Sequence, residues 1–276
     1  MKQLVVTADD FGLAPEVNDA VEIAHQRGIL TAASLMVAGP AAQDAVTRAH
    51  KLPRLRVGLH VVLVEGVPVL PPERVPGLVD ATGCFRTDMA RLGLAITLRP
   101  NVRRQLRAEI EAQFEAFRAT GLALDHVNAH KHFHLHPMIA AEIIAVGARH
   151  GIRGLRVPRE PGSVLSAIEP QASRVPAWVT APWASLLDRH ARRAGLQTPD
   201  AVFGLAWSGA MTTSRLLGLL RHLPEGRSEI YLHPATTDDF AGHAPGYRYA
   251  DELAALISPD VIAATRDLRL CGYADF

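Results

Sequence analysis

The sequence predicts an α/β protein: one (β/α) barrel of seven or eight parallel strands, irregular or incompletely closed, as a single domain over residues 1–276. Two observations predict it. Short apolar runs alternate with amphipathic stretches along most of the chain, and the runs are apolar throughout, as strands of a parallel sheet covered by helices must be. Seven or eight such units suffice to close, or nearly close, a barrel. An open doubly wound sheet is the alternative. Its nucleotide-binding form is weakened because no GxGxxG or Walker A sequence is present.

The elements follow in order. Leu4 to Ala8 reads as a buried strand. A helix follows from Pro15 to Arg27, with proline in its first turn and Gly28 as its stop. Ala32 to Ala38 is the next strand, Ala41 to His50 the next helix, and Val57 to Val64 a third strand. In the helix from Val102 to Ala119, Leu106, Ile110, Phe114 and Phe117 share one face, and Gly121 ends it. His126 to Ala129 is a strand, Pro137 opens a helix that closes at Gly151, and Gly154 to Val157 is another strand. Ala201 to Ala206, Glu229 to Leu232 and Leu268 to Gly272 complete the series. Two regions break the rhythm. Residues 64–86 are rich in proline and glycine and read as a long loop. An insertion at about 161–200 carries Trp178, Trp183 and a basic helix ending in Arg192-Arg193. Each reads either as a lid or binding loop or as a packed surface excursion.

Composition excludes several classes. With 48% hydrophobic and 21% charged residues the chain is a folded one, and a net charge of +1 speaks against an electrostatic nucleic-acid binder. The two cysteines, Cys84 and Cys271, form no CxxC and read as buried small hydrophobes in a reducing compartment. No apolar run precedes a small-residue cleavage site and none is long enough to span a bilayer, so a cytoplasmic protein is expected.

The chemistry gathers where strands end, which in a parallel barrel is where sites are built. The first strand runs into Asp9-Asp10. Such a pair can divide its work, one carboxylate binding a metal and the other facing a substrate water; it equally fits an N-cap and a solvated neighbour. His60 lies in an apolar run, as a metal ligand or as a hydrogen-bonded core histidine. The segment from His126 to His136 holds five histidines in eleven residues, and read as an extended strand it places several imidazoles on one side. A histidine cluster that includes metal ligands is favoured over an exposed polar turn. His233 closes a late strand, where it either protonates a leaving amine or caps the strand end. Arg156 and Arg159 orient a carboxylate or the substrate, or form surface salt bridges.

These residues carry a resemblance. Thr7-Ala8-Asp9-Asp10-Phe11-Gly12-Leu13, Gly58-Leu59-His60 with Glu65-Gly66 and Pro68, the run from His126 to His134, Arg156 to Glu160, and His233-Pro234 are together similar to the motifs of the YdjC-like carbohydrate deacetylases. The resemblance implies a barrel-like β/α fold and hydrolysis of the acetyl group from an N-acetylated amino sugar. It implies that Asp10, His60 and His130 hold one divalent metal ion, that Asp9 is the general base and that His233 is the acid. Arg156 joins them as a catalytic group, with His132, His134 and Arg159 toward the substrate. A His and Asp ligand set suits zinc, cobalt or nickel on softness grounds, whereas family members are often assigned magnesium.

The family usually has Asp and Ser where this chain has Asn128 and Ala129. That variant and the tryptophan-bearing insertion resemble the hopanoid-biosynthesis-associated HpnK branch. It implies an N-acetylglucosaminyl hopanoid as substrate and a peripheral contact with the inner membrane surface. The alternatives are a chitooligosaccharide deacetylase, a metal-dependent hydrolase of phosphoesters or cyclic amides, and a non-catalytic sugar- or lipid-binding barrel. Family analogy favours a homo-oligomer.

Overall fold

The computed structural model of the chain describes residues 2–170 and 177–276, with side chains from 181 onward in the second span. Trp178 therefore lies outside the described side chains. Among the described residues are eight parallel strands: β1 (Lys2–Phe11), β2 (Ala32–Leu35), β3 (Arg56–Val61), β4 (His126–Ala129), β5 (Gly154–Leu155), β6 (Ala201–Phe203), β7 (Gly226–Leu232) and β8 (Arg269–Leu270). They pair in the order β5-β4-β3-β2-β1-β7-β6, with β8 against the start of β1. This is a half-barrel whose two edges, β5 and β6, do not pair; the Val202 N–H donating to the Arg159 carbonyl (2.8 Å) is a backbone bond between the segments that follow β5 and build β6. The expected incomplete closure is what the strands adopt.

Ten helices are described: α1 (Pro15–Arg27), α2 (Ala42–Lys51), α3 (Met89–Leu98), α4 (Pro100–Ala119), α5 (Pro137–Arg149), α6 (Gly162–Ile168), α7 (Ala177–Arg193), α8 (Thr213–His222), α9 (Tyr249–Leu256) and α10 (Pro259–Ala264). Proline in the first turn opens α1, α4, α5 and α10, where a missing N–H costs nothing. Gly121, at φ +75°, takes the left-handed conformation just past α4. No described helix is long and apolar enough to cross a membrane.

Side-chain alternation on the strands decides the rest. Leu4, Val6 and Ala8 of β1, Leu59 and Val61 of β3, and Ile230 and Leu232 of β7 belong to the main apolar core with the helices. Toward the carboxyl ends the intervening positions are polar and bond to one another inside the half-barrel, namely Thr7 and Asp9 of β1, Ser34 of β2, His60 of β3, Asn128 of β4 and Glu229 of β7, while Val5 and Ala32 pack with Cys271 and Tyr273 in a second apolar cluster. The strands are therefore not uniformly apolar; they carry a period of two with a polar interior.

One further expectation is corrected. β4 ends at Ala129, and residues 130–135 form tight turns in which Lys131 and His132 adopt φ +52°. The histidines are thus not aligned by strand alternation; each is placed by a turn. Residues 64–86 form the long loop expected and, of its two readings, fit the packed excursion: they bury Val75, Leu78, Val79 and Phe85 and close on themselves through a Val79–Phe85 bridge. Cys271 is buried as expected, whereas Cys84 is half-buried.

Candidate metal centre

β1 runs on past Ala8 through Asp9 and Asp10 to Phe11, so that the two carboxylates sit at its carboxyl end and leave it in different directions. Asp10 does so at φ +62°, in the left-handed region that costs a non-glycine residue strain. Among the described residues the other non-glycine ones there are Glu65, Lys131 and His132, in the turns and loops at the same end of the barrel. Lys131 and Glu65 form an ion pair.

Asp10, His60 and His130 converge. His60 Nε2 lies 3.3 Å from Asp10 Oδ1, His130 Nδ1 lies 3.2 Å from the same oxygen, and the two nitrogens are 3.4 Å apart. Metal bonds of about 2.0–2.1 Å in a tetrahedron give ligand separations of about 3.3 Å, so this nearly equilateral triangle fits a divalent ion. Asn128 fixes the tautomer: its Oδ1 accepts from His60 Nδ1 (2.7 Å), leaving the Nε2 lone pair to face the triangle. Burial pushes the Asp10 carboxyl pKa up, but His130 and His60 beside it bring it well below the usual carboxylate range. For His130, burial lowers the pKa and Asp10 raises it, the net being upward.

Asp9 is buried behind this triangle. Arg156 Nη1 donates to its Oδ2 (2.5 Å), and Arg156 Nη2 (3.0 Å) and Asn128 Nδ2 (3.1 Å) donate to its Oδ1. Burial raises its pKa, but the Arg156 guanidinium and the neighbouring His60 outweigh that and hold Asp9 ionised far below neutrality. A carboxylate has about four acceptor positions; three are taken, and one is left for a water or substrate.

Arg156 itself is fully buried, so it is not a surface salt bridge. Its Nε and Nη2 donate to Glu229 (3.0 and 2.8 Å), which also accepts from Thr7 Oγ1 (2.7 Å). His233 stands one residue past β7, its ring between those of Tyr231 and Tyr247 at 5.7 and 5.2 Å. Its backbone N–H donates to the buried Glu252, and its buried Nδ1 has no protein partner. His132 bonds the Tyr231 hydroxyl (2.9 Å), and burial together with Arg156 keeps its pKa well below 6.5. His134 donates through Nε2 to the Arg156 carbonyl (2.9 Å), and burial lowers its pKa to about 4. Its side chain is fully enclosed, so it reaches the mouth only through the backbone of Arg156. Arg159 is partly exposed and pairs with Asp188 of α7 (3.3 Å).

Asn128, singled out as a departure from the family pattern, orients His60, whereas Ser34, Glu229, Tyr231 and Glu252 were not expected in the site. Their shared signal is a polar residue at alternate positions of an apolar run, or inside a helix face. A second grouping, Glu111, Glu115 and His150, lies around α4 and the end of α5, where Glu111 is already bonded to Arg149 and His150.

Fold and site together define a parallel β/α half-barrel with a candidate metal centre at the carboxyl ends of its strands. The YdjC-like protein family model matches residues 3–267, and the chain belongs to that family. A carbohydrate deacetylase of Geobacillus stearothermophilus is 30% identical over 99% of this chain and 97% of its own length, and one of Thermoanaerobacter pseudethanolicus is 28% identical over 97% and 95%. A mouse carbohydrate deacetylase is 34% identical over 89% of this chain and 78% of its own. A crystal structure from Enterococcus faecalis, provisionally described as a cellobiose-phosphate cleavage protein, superposes with a TM-score of 0.77 at 25% identity, covering 99% of this chain and 98% of its own.

Proposed function

We propose that this chain is a metal-dependent carbohydrate deacetylase that hydrolyses the acetamide of an N-acetylated amino sugar, releasing acetate and the free amine. The observation that carries the reading is the triangle of Asp10, His60 and His130 beside an ionised Asp9 with one open acceptor position. A divalent ion held there, zinc or magnesium, would polarise the acetyl carbonyl and acidify a water. Asp9 takes the proton of the attacking water as the new carbon–oxygen bond forms. Arg156 and Asn128 hold Asp9 in place. His233 delivers a proton to the sugar nitrogen as the carbon–nitrogen bond breaks. The bulk of the chain forms one domain, with the 161–200 insertion beside the mouth.

The finer reading is a glycolipid substrate, an N-acetylglucosaminyl hopanoid reached from the cytoplasmic membrane surface. It is supported by an apolar groove of about 600 Å³ lined by Met89, Leu94, Leu135, Met138 and Trp183, between α3, α7 and the start of α5. Leu94, Leu98, Trp183 and Leu186 are exposed around it, more contiguous apolar surface than scattered single residues account for. Arg159, tied to α7 through Asp188, and His132 sit toward the sugar in this reading.

The test is acetate release from an N-acetylglucosaminyl lipid and from diacetylchitobiose, with and without chelator. Chelator-sensitive release from the lipid alone is expected; release from diacetylchitobiose alone would move the substrate to soluble chitooligosaccharides. Asp9→Asn should abolish turnover and keep the metal, whereas Asp10→Asn should weaken both. Equal metal loss in the two variants would overturn the division of roles.

A further inference from the structure

Tyr273 lies past the family-matched residues, in the turn that follows β8, and is fully buried at the amino-terminal ends of β4 and β5. Gly154 makes room for it, since a Cβ there would stand 2.5 Å from the ring. Two chains of hydrogen bonds start from this residue. Its hydroxyl donates to Glu229 Oε2 (2.5 Å); Glu229 holds Arg156, and Arg156 holds Asp9. Its backbone N–H donates to Asp125 Oδ2 (3.0 Å), and its ring stacks on His126 with centroids 4.8 Å apart.

The second chain has a definite direction. Asn128 Nδ2 donates to Ser34 Oγ (2.8 Å), so the one hydroxyl hydrogen of Ser34 goes to His126 Nε2 (3.1 Å), and His126 Nδ1–H goes to Asp125 (3.0 Å). Ser34, His126 and Asp125 have the order of a hydrolytic triad, but Ser34 is fully enclosed and no substrate reaches it. The arrangement instead prevents the Asn128 amide from flipping, which keeps its oxygen on His60 and its nitrogen on Asp9.

We propose that Tyr273 is a positioning residue for the deacetylation, acting through Glu229 and Arg156 on Asp9. The inference rests on the reading of Asp9 as general base. Glu229 faces Arg156 with both oxygens while Tyr273 and Thr7 each hold one of them, so the carboxylate cannot rotate and the guanidinium fork keeps one orientation. Without the hydroxyl, Oε2 of Glu229 keeps only the Arg156 Nε bond, so the carboxylate is held less rigidly and the alignment of Asp9 loosens while the metal ligands stay as they are.

Tyr273→Phe keeps the ring, its stack and its backbone bond, and removes only the hydroxyl. The expected result is a kcat lower by roughly 10- to 100-fold, with KM and calorimetric metal affinity within about twofold of the parent. Glu229→Gln should show the same split, and the double variant should lose no more than the worse single one. A Tyr273→Phe enzyme with unchanged kcat per folded molecule, or with metal affinity falling in parallel, would overturn the proposal while leaving the deacetylase reading intact. A parent that releases no acetate from any N-acetylated sugar would overturn the reading and the proposal with it.

Discussion

Arg156 is the group whose removal the structure makes most costly. It satisfies Asp9 and Glu229 at once, with all three side chains buried. Arg156→Met leaves two carboxylates facing each other in the core. Each lost attraction is worth about 4 kcal/mol at a charge separation near 4 Å and an effective dielectric of about 20. The loss is capped, because a stranded carboxylate can take a proton. Neutralising Asp9 at pH 7 from an ordinary value of 3.8 costs roughly 4 kcal/mol. The expected destabilisation at pH 7 is therefore about 3–5 kcal/mol, in line with broken buried pairs generally. Its pH dependence follows. In the parent, Asp9 has a depressed pKa, so its contribution is present above pH 3.8 and lost only as pH falls below that. In the variant the carboxyl pKa is raised, so stability is retained in acid and lost as pH rises above about 4. The gap between parent and variant should widen by roughly 1–3 kcal/mol from pH 5 to pH 7. Urea denaturation followed by circular dichroism, with chelator present, measures it. A gap under about 1 kcal/mol, or one equal at both pH values, would refute the electrostatic account. Adding Glu229→Gln to Arg156→Met should recover part of the loss.

Three further outcomes are expected. His134 is buried with a pKa of about 4 against an ordinary 6.5, so the unfolded chain binds the proton first and stability falls as pH drops from 6.5 toward 4. The loss is roughly 2 kcal/mol by pH 5, or about 4 °C in Tm, and His134→Gln should flatten that slope in thermal scans. Gly58→Ala would place a Cβ 2.5 Å from the His126 ring, which Tyr273, Ser34 and Asp125 prevent from moving, so it should cost about 1–3 kcal/mol; a loss below about 0.5 kcal/mol would mean the ring yields. Asn128→Leu removes the acceptor that sets the His60 tautomer and should lower metal affinity about 10- to 100-fold by calorimetry, with unchanged affinity counting against that role.

The strand series was legible because parallel strands with a helix on one side keep an apolar face whatever the other face does. The ends were less so. β1 runs on through Asp9 and Asp10 to Phe11, which apolarity alone cut at Ala8, and the pairing of β3 stops at Val61 before the apolar run does. The α3 sequence Met89–Leu98 is almost entirely apolar and offers no helical face to read, and α9 and α10 are too short for a period to emerge. That one carboxylate and two histidines from three strands could converge was legible at the strand ends; that they are Asp10, His60 and His130 followed from the family resemblance. Their partners were not legible, because Ser34, Asp125 and Tyr273 are single polar groups in apolar or irregular surroundings. What makes them one network is the register of β2, β3 and β4, which pairs Ser34 with Gly58 and His60 with Asn128. The histidine run shows the opposite error. Its spacing imitates a strand, while the left-handed Lys131 and His132 turn the chain so that His130 faces Asp10, His132 faces Tyr231, and His134 passes beneath Arg156.

The charges of the same network bear on the metal proposed at the mouth. Asp9 and Glu229 bring two negative charges against the one positive charge of Arg156, and Asp10 adds a third. The buried surplus is two. The Lys131–Glu65 pair at the rim is already balanced and does not offset it. A surplus left uncompensated in a low-dielectric interior is costly, so a doubly charged ion is the partner that this interior favours. Charge alone does not choose the element. The donor set does: two imidazole nitrogens and one carboxylate oxygen at 3.2–3.4 Å spacing match the softer, four-coordinate ions more closely than an all-oxygen octahedron, whose edges at bonds of about 2.1 Å would be near 3.0 Å. Zinc should therefore outcompete magnesium for this site at equal concentration, and a magnesium preference in a direct competition titration would mean that waters or substrate oxygens, not these three side chains, set the coordination.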